Sequence, residues 1–175
     1  MLPSLTTVQE DSAAFQARLL ASLHNRCPLE SEGMRRAVRH MMAGDWNEEQ
    51  IVVFLTALRQ KGETGPEIAD AASVLRDHMV RLDCGMREVL DTCGTGGDGS
   101  GTFNISTAAA FVAAGAGVTV VKHGNRAASG RTGSADVLAA LGVPVDSDLR
   151  WTQRCLEHAG FAFCFAPHFH PAMRH

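Results

Sequence analysis

The sequence predicts an α/β protein in two parts, an N-terminal helical bundle domain over residues 1–82 and an α/β domain with a mostly parallel sheet over residues 83–175. Apolar residues recur at helical spacing throughout the first part, whereas short apolar runs alternate with helical segments in the second. The second part also contains a glycine-rich stretch, in which residues 94–101 include five glycines. Such a loop lets a ligand approach the backbone closely, so the sequence predicts a binding site there.

Composition narrows the classes of function. The chain has 175 residues, of which 45% are hydrophobic, and this is enough to bury a core. Sixteen basic and nineteen acidic side chains give a net charge of −3, so we expect no nucleic acid and no anionic membrane as partner. The five cysteines are odd in number and include no C-x-x-C pair, which disfavours disulfides and zinc. A cytoplasmic location without export signal or membrane span is expected.

Four helices are expected in the first part. Two capping boxes, Asn47-x-x-Gln50 and Thr64-x-x-Glu67, predict where the third and fourth begin, and Gly44 predicts where the second ends. The apolar stripes are Phe15, Leu19 and Leu23; Met34, Val38, Met41 and Met42; Ile51, Phe54, Leu55 and Leu58; and Ile68, Ala72, Leu75 and Met79. So many apolar positions exceed what one small bundle buries. Either a partner surface, as in a homodimer, or the α/β part covers the surplus.

Three short apolar runs in the second part predict parallel strands with helices between them. The runs are Val89–Leu90, Val118–Val121 and Phe161–Phe165. Ligands of parallel sheets bind outside the carboxyl ends of the strands. The segments at these ends, residues 94–107, 122–134 and 166–174, all carry polar or charged side chains. We therefore expect the three segments to meet at one edge of the sheet and to form the site.

The first segment is suited to an anion. A strand, a glycine loop and an alanine-rich helix from Ala108 to Ala114 follow one another, an order that directs free N–H groups and the helix dipole towards a phosphate. The polar side chains of the segment are Asp98, Thr102, Asn104, Ser106 and Thr107. Together they favour a magnesium-bound polyphosphate. The simpler alternative is a connecting turn, with Asn104 or Ser106 as an ordinary helix N-cap.

Two other phosphate motifs fit this stretch less well. Ser100 and Gly101 stand where a P-loop requires Lys and Ser or Thr. A G-x-G-x-x-G spacing from Gly94 matches the dinucleotide fingerprint, but the next strand leads into Lys122, where an NAD site requires an acidic residue. An NAD(P)-binding oxidoreductase fragment is therefore the weaker alternative.

The second segment adds charge and hydrogen-bonding groups. Lys122, Arg126 and Arg131 place positive charge beside a loop that is otherwise nearly uncharged. This mixture favours phosphate over a merely solvated basic surface. Asn125 is suited to orient a second substrate. Ser134 is suited to cap the helix that follows it and also to bind phosphate.

The third segment contains His168 and His170, an H-x-H pair that invites comparison with metal sites. No third ligand set of cysteine or aspartate appears near them, and Pro167 and Pro171 predict a stiff, simple loop. A neutral wall or hydrogen-bond donor against an aromatic substrate is the better interpretation of His170.

Four motifs, in this order along the chain, resemble the anthranilate phosphoribosyltransferase family. They are Asp-Thr-Cys-Gly-Thr-Gly-Gly-Asp-Gly-Ser-Gly-Thr-Phe-Asn-Ile-Ser-Thr at 91–107, Lys-His-Gly-Asn-Arg at 122–126, Gly-Ser-Ala-Asp-Val-Leu at 133–138 and His-Pro-Ala-Met at 170–173. The helical part, with Lys-Gly-Glu-Thr at 61–64, is similar to that family's dimerising domain, so the resemblance covers the whole chain. Pyrimidine nucleoside phosphorylases share the glycine loop but lack the second and fourth motifs.

The resemblance implies transfer of the 5-phosphoribosyl group of phosphoribosyl pyrophosphate to anthranilate, with Mg²⁺ as cofactor, in tryptophan biosynthesis. The products are N-(5-phosphoribosyl)anthranilate and pyrophosphate, and the enzyme is a homodimer without a protein nucleophile. The residues implied for phosphoribosyl pyrophosphate are Gly94, Gly97, Asp98, Thr102, Asn104, Ile105, Ser106, Thr107, Lys122 and Ser134. Ser106 is also implied at magnesium. Gly94 and Asn125 are implied at anthranilate, where His170 is expected as well.

The sequence departs from the family pattern in two ways. Gly130 and Arg131 replace a small hydroxyl residue and a variable position, and Ala139 replaces a usual Glu. The family also continues beyond His-Pro-Ala-Met, with an arginine for the anthranilate carboxylate and an Asp-Glu pair for magnesium. We therefore expect residues 83–175 to be the first part of an α/β domain, an incomplete phosphoribosyl-pyrophosphate-binding domain, and residues 1–175 alone to be inactive. A non-catalytic phosphate-binding or dimerisation fragment is the second alternative.

Overall fold

The computed structural model describes residues 11–85, 88–94, 103–127 and 132–174. Their backbone divides into two compact units, residues 11–79 with 172–174, and residues 80–171. The first unit is helical and the second contains a parallel sheet with helices, which confirms the predicted fold class. None of the helices within these ranges has the length and apolar character needed to cross a membrane.

Over residues 11–79 the first unit contains four helices, and the boundaries for which the sequence carries a local signal, the end of α2 and the starts of α3 and α4, lie where predicted. They are α1 Ser12–His24, α2 Ser31–Ala43, α3 Glu48–Lys61 and α4 Gly65–His78. Both predicted capping boxes form, with the Asn47 side chain accepting from the Gln50 N–H and the Thr64 side chain from the Glu67 N–H. Gly44 ends α2 in the left-handed conformation at φ 75°, which glycine adopts without steric cost.

The first unit has a core of its own. Its buried residues are Phe15, Leu19, Leu23, Leu29, Met34, Ala37, Val38, Trp46, Phe54, Ala57, Leu58 and Val74. Trp46 lies between α2 and α3, outside the helical stripes, and meets Phe54 edge-on with ring centroids 5.3 Å apart. Three stripe residues face outward instead: Leu55 and Ile68 are 47% and 57% exposed, and Ala72 is exposed as well.

A buried carboxylate joins three segments of this unit. Glu67 is 1% exposed and accepts hydrogen bonds from the Leu29 N–H at 2.8 Å and the Lys61 Nζ at 2.7 Å. The N–H and Oγ1 of Thr64 complete the set, each at 2.8 Å. The connection between α1 and α2, the end of α3 and the start of α4 are therefore held to one group. Such a charge is stable inside a protein because it is fully paired.

The second unit is built on a parallel pair of strands. Its elements are α5 Ile105–Gly115, β1 Val120–Gly124, α6 Ser134–Ala140, α7 Leu149–Ala159, β2 Phe161–Phe165 and α8 Ala166–Phe169. A 3₁₀ turn at Pro171–Arg174 follows α8 in the chain, and its residues 172–174 belong to the first unit. β1 pairs with β2 from Val120 opposite Phe161 to Gly124 opposite Phe165. Leu90 adds a single parallel bridge to Val120 on the other side of β1. A small core, Ala135, Leu138, Val145, Phe163 and Phe165, lies against this sheet.

Three predictions for this unit need correction. The second strand is Val120–Gly124 rather than Val118–Val121, since β2 offers pairing partners as far as Gly124 and Val118 is 43% exposed. The run Val89–Leu90 forms only the bridge at Leu90. The predicted loop 166–174 contains α8 and the 3₁₀ turn. The strand Phe161–Phe165 is confirmed with the predicted bounds.

Candidate anion-binding site

The carboxyl ends of the strands bring the predicted site segments to one edge of the sheet. Leu90, β1 and β2 all run parallel, so the residues that follow each of them leave the sheet on the same side. Residues 91–94, 125–127 and 166–170 directly follow Leu90, β1 and β2 in the chain, and the structure describes all of them. The expectation that the three segments meet is therefore confirmed for these residues.

Lys122 is a buried cation on β1. Alternate residues of this strand, Val120, Lys122 and Gly124, are buried, which places the lysine where a core residue would ordinarily lie. Lys122 is only 1% exposed. Its Nζ donates to the Ser106 Oγ at 3.2 Å and to the Thr92 Oγ1 at 3.4 Å. Among the described residues, no carboxylate lies within ion-pair distance of this ammonium group.

The charge of Lys122 is therefore held by neutral partners. Burial lowers the pKa of Lys122, and the nearby Cys93 and Asp91 oppose this shift only in part. Removing an ammonium group from water is unfavourable unless an anion compensates for the lost hydration. A ligand anion placed at this edge would supply that compensation.

The N-terminus of α5 forms the neighbouring wall of the site. Asn104 is the N-cap, and its Oδ1 accepts from the Thr107 N–H at 3.2 Å, the Thr107 Oγ1 at 2.8 Å and the Ser106 Oγ at 3.1 Å. The capping alternative for Asn104 is thus correct, and it coexists with the predicted site. Ser106 lies in the first turn and is not the cap. Thr107 is 1% exposed, whereas Ile105 is 55% exposed.

The positions of the glycine-loop residues are only partly described. Gly94 is exposed, and an added Cβ would meet nothing within 4 Å in the described structure. Packing against the described residues therefore gives no reason for glycine at this position. Gly97, Asp98 and Thr102 lie outside the described residues, as do Gly130 and Arg131.

Asn125 and Ser134 meet where β1 leaves the sheet and α6 begins. The Asn125 carbonyl accepts from the Ser134 Oγ at 3.4 Å and from the Ala135 N–H at 3.2 Å. Ser134 is the first residue of α6, and Gly133 is the N-cap, so the predicted capping role of Ser134 is wrong. The Ser134 hydroxyl instead lies over Gly124, where an added Cβ would stand 2.0 Å from it. The structure therefore brings these two predicted site residues together.

His123 is a residue of this edge that the sequence interpretation missed. Its ring centroid lies 5.4 Å from that of His170, and its Nδ1 lies 3.8 Å from the Cys93 Sγ. The buried Nε2 has no hydrogen-bond partner within the described structure. Burial lowers the pKa of His123, as do His170 and Lys122, while Asp91 opposes them. The ring is therefore neutral near pH 7. The sequence analysis did not single out His123, because it placed this residue in the segment after the strand, whereas the structure places it within β1.

The two histidines of the H-x-H pair have separate surroundings. His168 pairs with Asp146 at 2.8 Å, and its Nδ1 lies 3.0 Å from the Ser147 carbonyl oxygen. His170 lies beside His123 instead. In the ranges that the structure describes, no three His, Cys, Asp or Glu side chains are grouped to hold a metal ion. This geometry supports treating His170 as part of the edge with His123.

Comparisons with known families match both parts of the chain. A model described as the a/b domain of a glycosyl transferase family matches residues 86–175. A second model, described as the helical bundle domain of a glycosyl transferase family, matches residues 17–79.

Curated relatives and solved structures agree with these matches. Anthranilate phosphoribosyltransferases of Salinibacter ruber and Herpetosiphon aurantiacus are 48% and 52% identical to the chain, over 90% and 89% of it and 46% of each relative. The crystal structure of anthranilate phosphoribosyltransferase from Thermus thermophilus aligns with TM-score 0.80 and 44% identity, over 89% of this chain and 47% of that one. The Saccharomyces cerevisiae enzyme in complex with phosphoribosyl pyrophosphate and Mg aligns with TM-score 0.79 and 30% identity, over 93% and 49%. The chain thus spans about half the length of the relatives it matches.

Proposed function

We propose that this chain, which belongs to the glycosyl transferase family in both its helical-bundle and its a/b parts, binds phosphoribosyl pyrophosphate and serves the transfer of its 5-phosphoribosyl group to anthranilate. The buried Lys122 ammonium, held only by hydroxyl groups among the described residues, carries the proposal. It lies at the strand edge beside the N-terminus of α5, where a pyrophosphate would find both a full positive charge and the positive end of a helix dipole. The named activity of the relatives supports the choice of ligand, and it belongs to tryptophan biosynthesis.

The proposed reaction exchanges one bond at the anomeric carbon. The amine nitrogen of anthranilate forms a bond to that carbon, the bond to the pyrophosphate oxygen breaks with its electron pair, and the amine proton passes to water. Charge develops on the departing pyrophosphate, so a preorganised cation such as Lys122 stabilises the transition state more than the ground state. No protein nucleophile is needed, because the rest of the catalysis is alignment of the amine with the ribose.

The residues proposed at phosphoribosyl pyrophosphate keep distinct roles. Because the Oδ1 of Asn104 is occupied by three donors, its Nδ2 is the group left for a phosphate oxygen. The proposed set also includes Gly94, Ile105, Thr107 and Ser134, and, on the resemblance alone, Gly97, Asp98 and Thr102. Arg126, which is 55% exposed at its side chain, adds a second cation near the same edge.

Magnesium fits this edge as a companion of the substrate. The Ser106 Oγ donates to Asn104 and accepts from Lys122, which leaves one lone pair for a metal ion. Mg²⁺ prefers few protein ligands together with phosphate oxygens and water, so one hydroxyl is compatible with it. When bound, the ion would supply further neutralisation of the pyrophosphate charge. Ser106 is the described residue proposed to hold it.

Anthranilate is proposed to lie at the histidine side of the edge. His170 and the neutral His123 present ring faces and nitrogen atoms to an aromatic amine, and Asn125 offers an exposed amide. Gly94 leaves room for the approach of the ligand because no described atom would contact a side chain there. The neutral ring of His123 suits this position, since a protonated amine on anthranilate would lack the lone pair that the reaction needs.

A homodimer is proposed through the helical unit. Val52 and Leu55 are three residues apart on α3, so they share one outward face, and they are 56% and 47% exposed. Ile68 of α4 adds a third apolar side chain at 57% exposure. Apolar faces of this kind are typical of subunit contacts.

All five cysteines are free thiols, which supports a cytoplasmic location.

Calorimetric titration of the chain with phosphoribosyl pyrophosphate and Mg²⁺ tests the proposal. Lys122→Ala should weaken binding about tenfold to a hundredfold, because a charge-assisted contact contributes roughly 1.5–3 kcal/mol. Arg154→Ala is the matched control, since Arg154 is an exposed cation on α7 whose guanidinium lies over Trp151. Equal affinities for the parent chain and Lys122→Ala would overturn the proposal. Tighter binding of NAD(P) than of phosphoribosyl pyrophosphate would favour the oxidoreductase alternative.

A further inference from the structure

One carboxylate ties the exit of β1 to the entrance of α6. The Oδ2 of Asp136 accepts from the Ala127 N–H at 3.0 Å and from the Gly133 N–H at 2.8 Å. Its Oδ1 accepts from the Arg126 Nη1 at 3.2 Å. The two backbone donors belong to different elements, because Ala127 follows β1 and Gly133 precedes α6. Asp136 therefore joins two segments rather than stabilising one.

The backbones at this junction are in direct contact. A Cβ on Gly133 would stand 2.4 Å from the Ala127 nitrogen and 2.5 Å from the Asn125 carbonyl oxygen. The same Asn125 oxygen accepts from the N–H of Ala135 and the hydroxyl of Ser134. Any loosening of the junction therefore changes the separation of Asn125 from Ser134.

Helix capping accounts for only one of the three bonds to Asp136. An acidic residue in the third helical position commonly accepts from the N–H of the N-cap residue, here Gly133. The bonds from Ala127 and Arg126 extend to the strand exit and add nothing to the helix itself. The backbone donors Ala127 and Gly133 lower the pKa of Asp136, so the carboxylate is charged at neutral pH.

We infer that Asp136 is a positioning residue, which holds Asn125 and Ser134 in register for binding phosphoribosyl pyrophosphate and anthranilate. The inference rests on the proposed function, because that proposal assigns ligands to these two residues. Asp136 acts through the backbone of residues 125–127 and 133–135 and touches no ligand itself. Binding is thereby made to depend on a side chain of α6 whose hydrogen bonds are to Arg126, Ala127 and Gly133.

The experiment compares four variants of the chain for affinity, thermal unfolding and amide NMR shifts. Asp136→Ala removes all three bonds and should weaken binding of phosphoribosyl pyrophosphate with Mg²⁺ about tenfold, the loss expected when a second layer of contacts is removed. Asp136→Asn keeps an oxygen in the place of Oδ2 and should retain most of the affinity. Asp148→Ala is the matched control, because Asp148 caps α7 by accepting from the Trp151 N–H at 2.7 Å. It should lower the unfolding temperature and leave affinity unchanged.

Asp136→Glu provides a second route if Asp136→Ala does not fold. It retains the charge but moves the carboxylate by one methylene group, so a positioning role predicts weaker binding. Unchanged affinity in both Asp136→Glu and Asp136→Ala would overturn the inference. If Asp136→Ala does not fold, unchanged affinity in Asp136→Glu alone would overturn it. If the parent chain does not bind phosphoribosyl pyrophosphate, the proposed function fails while the amide signals still decide the positioning role. The positioning role is supported if the amide signals of Ala127 and Ala135 move in Asp136→Glu and keep their parent positions in Asp136→Asn. It is contradicted if these signals do not move in Asp136→Glu.

Discussion

The Nζ of Lys122 lies 3.2 Å from the Oγ of Ser106, so a strand residue and a residue in the first turn of α5 share a hydrogen bond at the sheet edge. The Ser106 hydroxyl in turn donates a hydrogen bond to the Oδ1 of Asn104, the N-cap of that helix. The cation is thus connected to the helix N-terminus through neutral groups. Such an arrangement leaves the positive charge available to a ligand, because no carboxylate among the described residues lies within ion-pair distance of the ammonium group.

Lys122→Met should stabilise the unliganded chain and weaken ligand binding. The folded pKa of Lys122 is lowered by burial, so the charged form opposes folding at any pH below that pKa. The penalty disappears as the pH rises from the folded pKa towards the ordinary value of 10.5. Urea unfolding should therefore show the variant to be more stable at pH 7, with a smaller difference at pH 10. A less stable variant at pH 7 would show that the ammonium group contributes to the fold.

Glu67→Gln should destabilise the first unit in a pH-dependent way. Burial alone would raise the pKa of Glu67, but donors from Leu29, Lys61 and Thr64 lower it from 4.5 to about 2. Its stabilisation, about 3 kcal/mol by linkage, is fully present above pH 4.5 and is lost as the pH falls towards 2. The gap in unfolding free energy between the parent and Glu67→Gln should therefore narrow between pH 6 and pH 3. Glu49→Gln, an exposed change in α3, is the control and should show no such gap.

Glu substitution at both Val52 and Leu55 should yield a monomer that remains folded. Both residues are outside the core, so the substitutions should weaken association of the subunits and leave the stability of the folded chain nearly unchanged. Sedimentation velocity at micromolar concentrations measures the change, and helical circular dichroism confirms the fold. Val112→Glu, on α5 at 73% exposure, serves as the control and should remain dimeric. A parent chain that is itself monomeric would contradict the proposed dimer.

Gly133→Ala should damage the site, whereas Gly65→Ala should not. The added methyl group at Gly133 would lie within 2.5 Å of three backbone atoms, and backbone yields less readily than a flexible side chain. Overpacking of this kind typically costs about 1–3 kcal/mol and would displace Asn125. At Gly65 nothing in the described structure lies within 4 Å of the new Cβ, so this change should be neutral or slightly stabilising. Thermal unfolding and calorimetry with phosphoribosyl pyrophosphate check both effects, and equal behaviour of the two variants would refute the clash.

Signals between close neighbours in the chain were sufficient to predict the helices of the first unit. A capping box depends on residues three positions apart, as at Asn47 and Gln50, and the end of α2 depends on the conformational freedom of Gly44. The same kind of signal predicts the anion site, since glycine spacing and the order of strand, loop and helix are properties of one continuous segment. Four motifs along the chain, each a continuous run of residues, indicated the family as well.

Contacts between distant segments account for what could not be predicted. The sequence predicts Lys122 in the segment after the strand, but pairing with Phe163 of β2 places it within β1. There it is buried, and no counter-ion among the described residues lies within ion-pair distance of it. The same pairing brings His123 to His170. Leu55 fits the apolar period of α3 and yet faces outward. Periodicity identifies the apolar stripe of a helix, but it does not show which residues at the margin of the stripe are covered by other segments. These outcomes depend on register and on which surfaces meet in space, and no local pattern of residue types encodes either one.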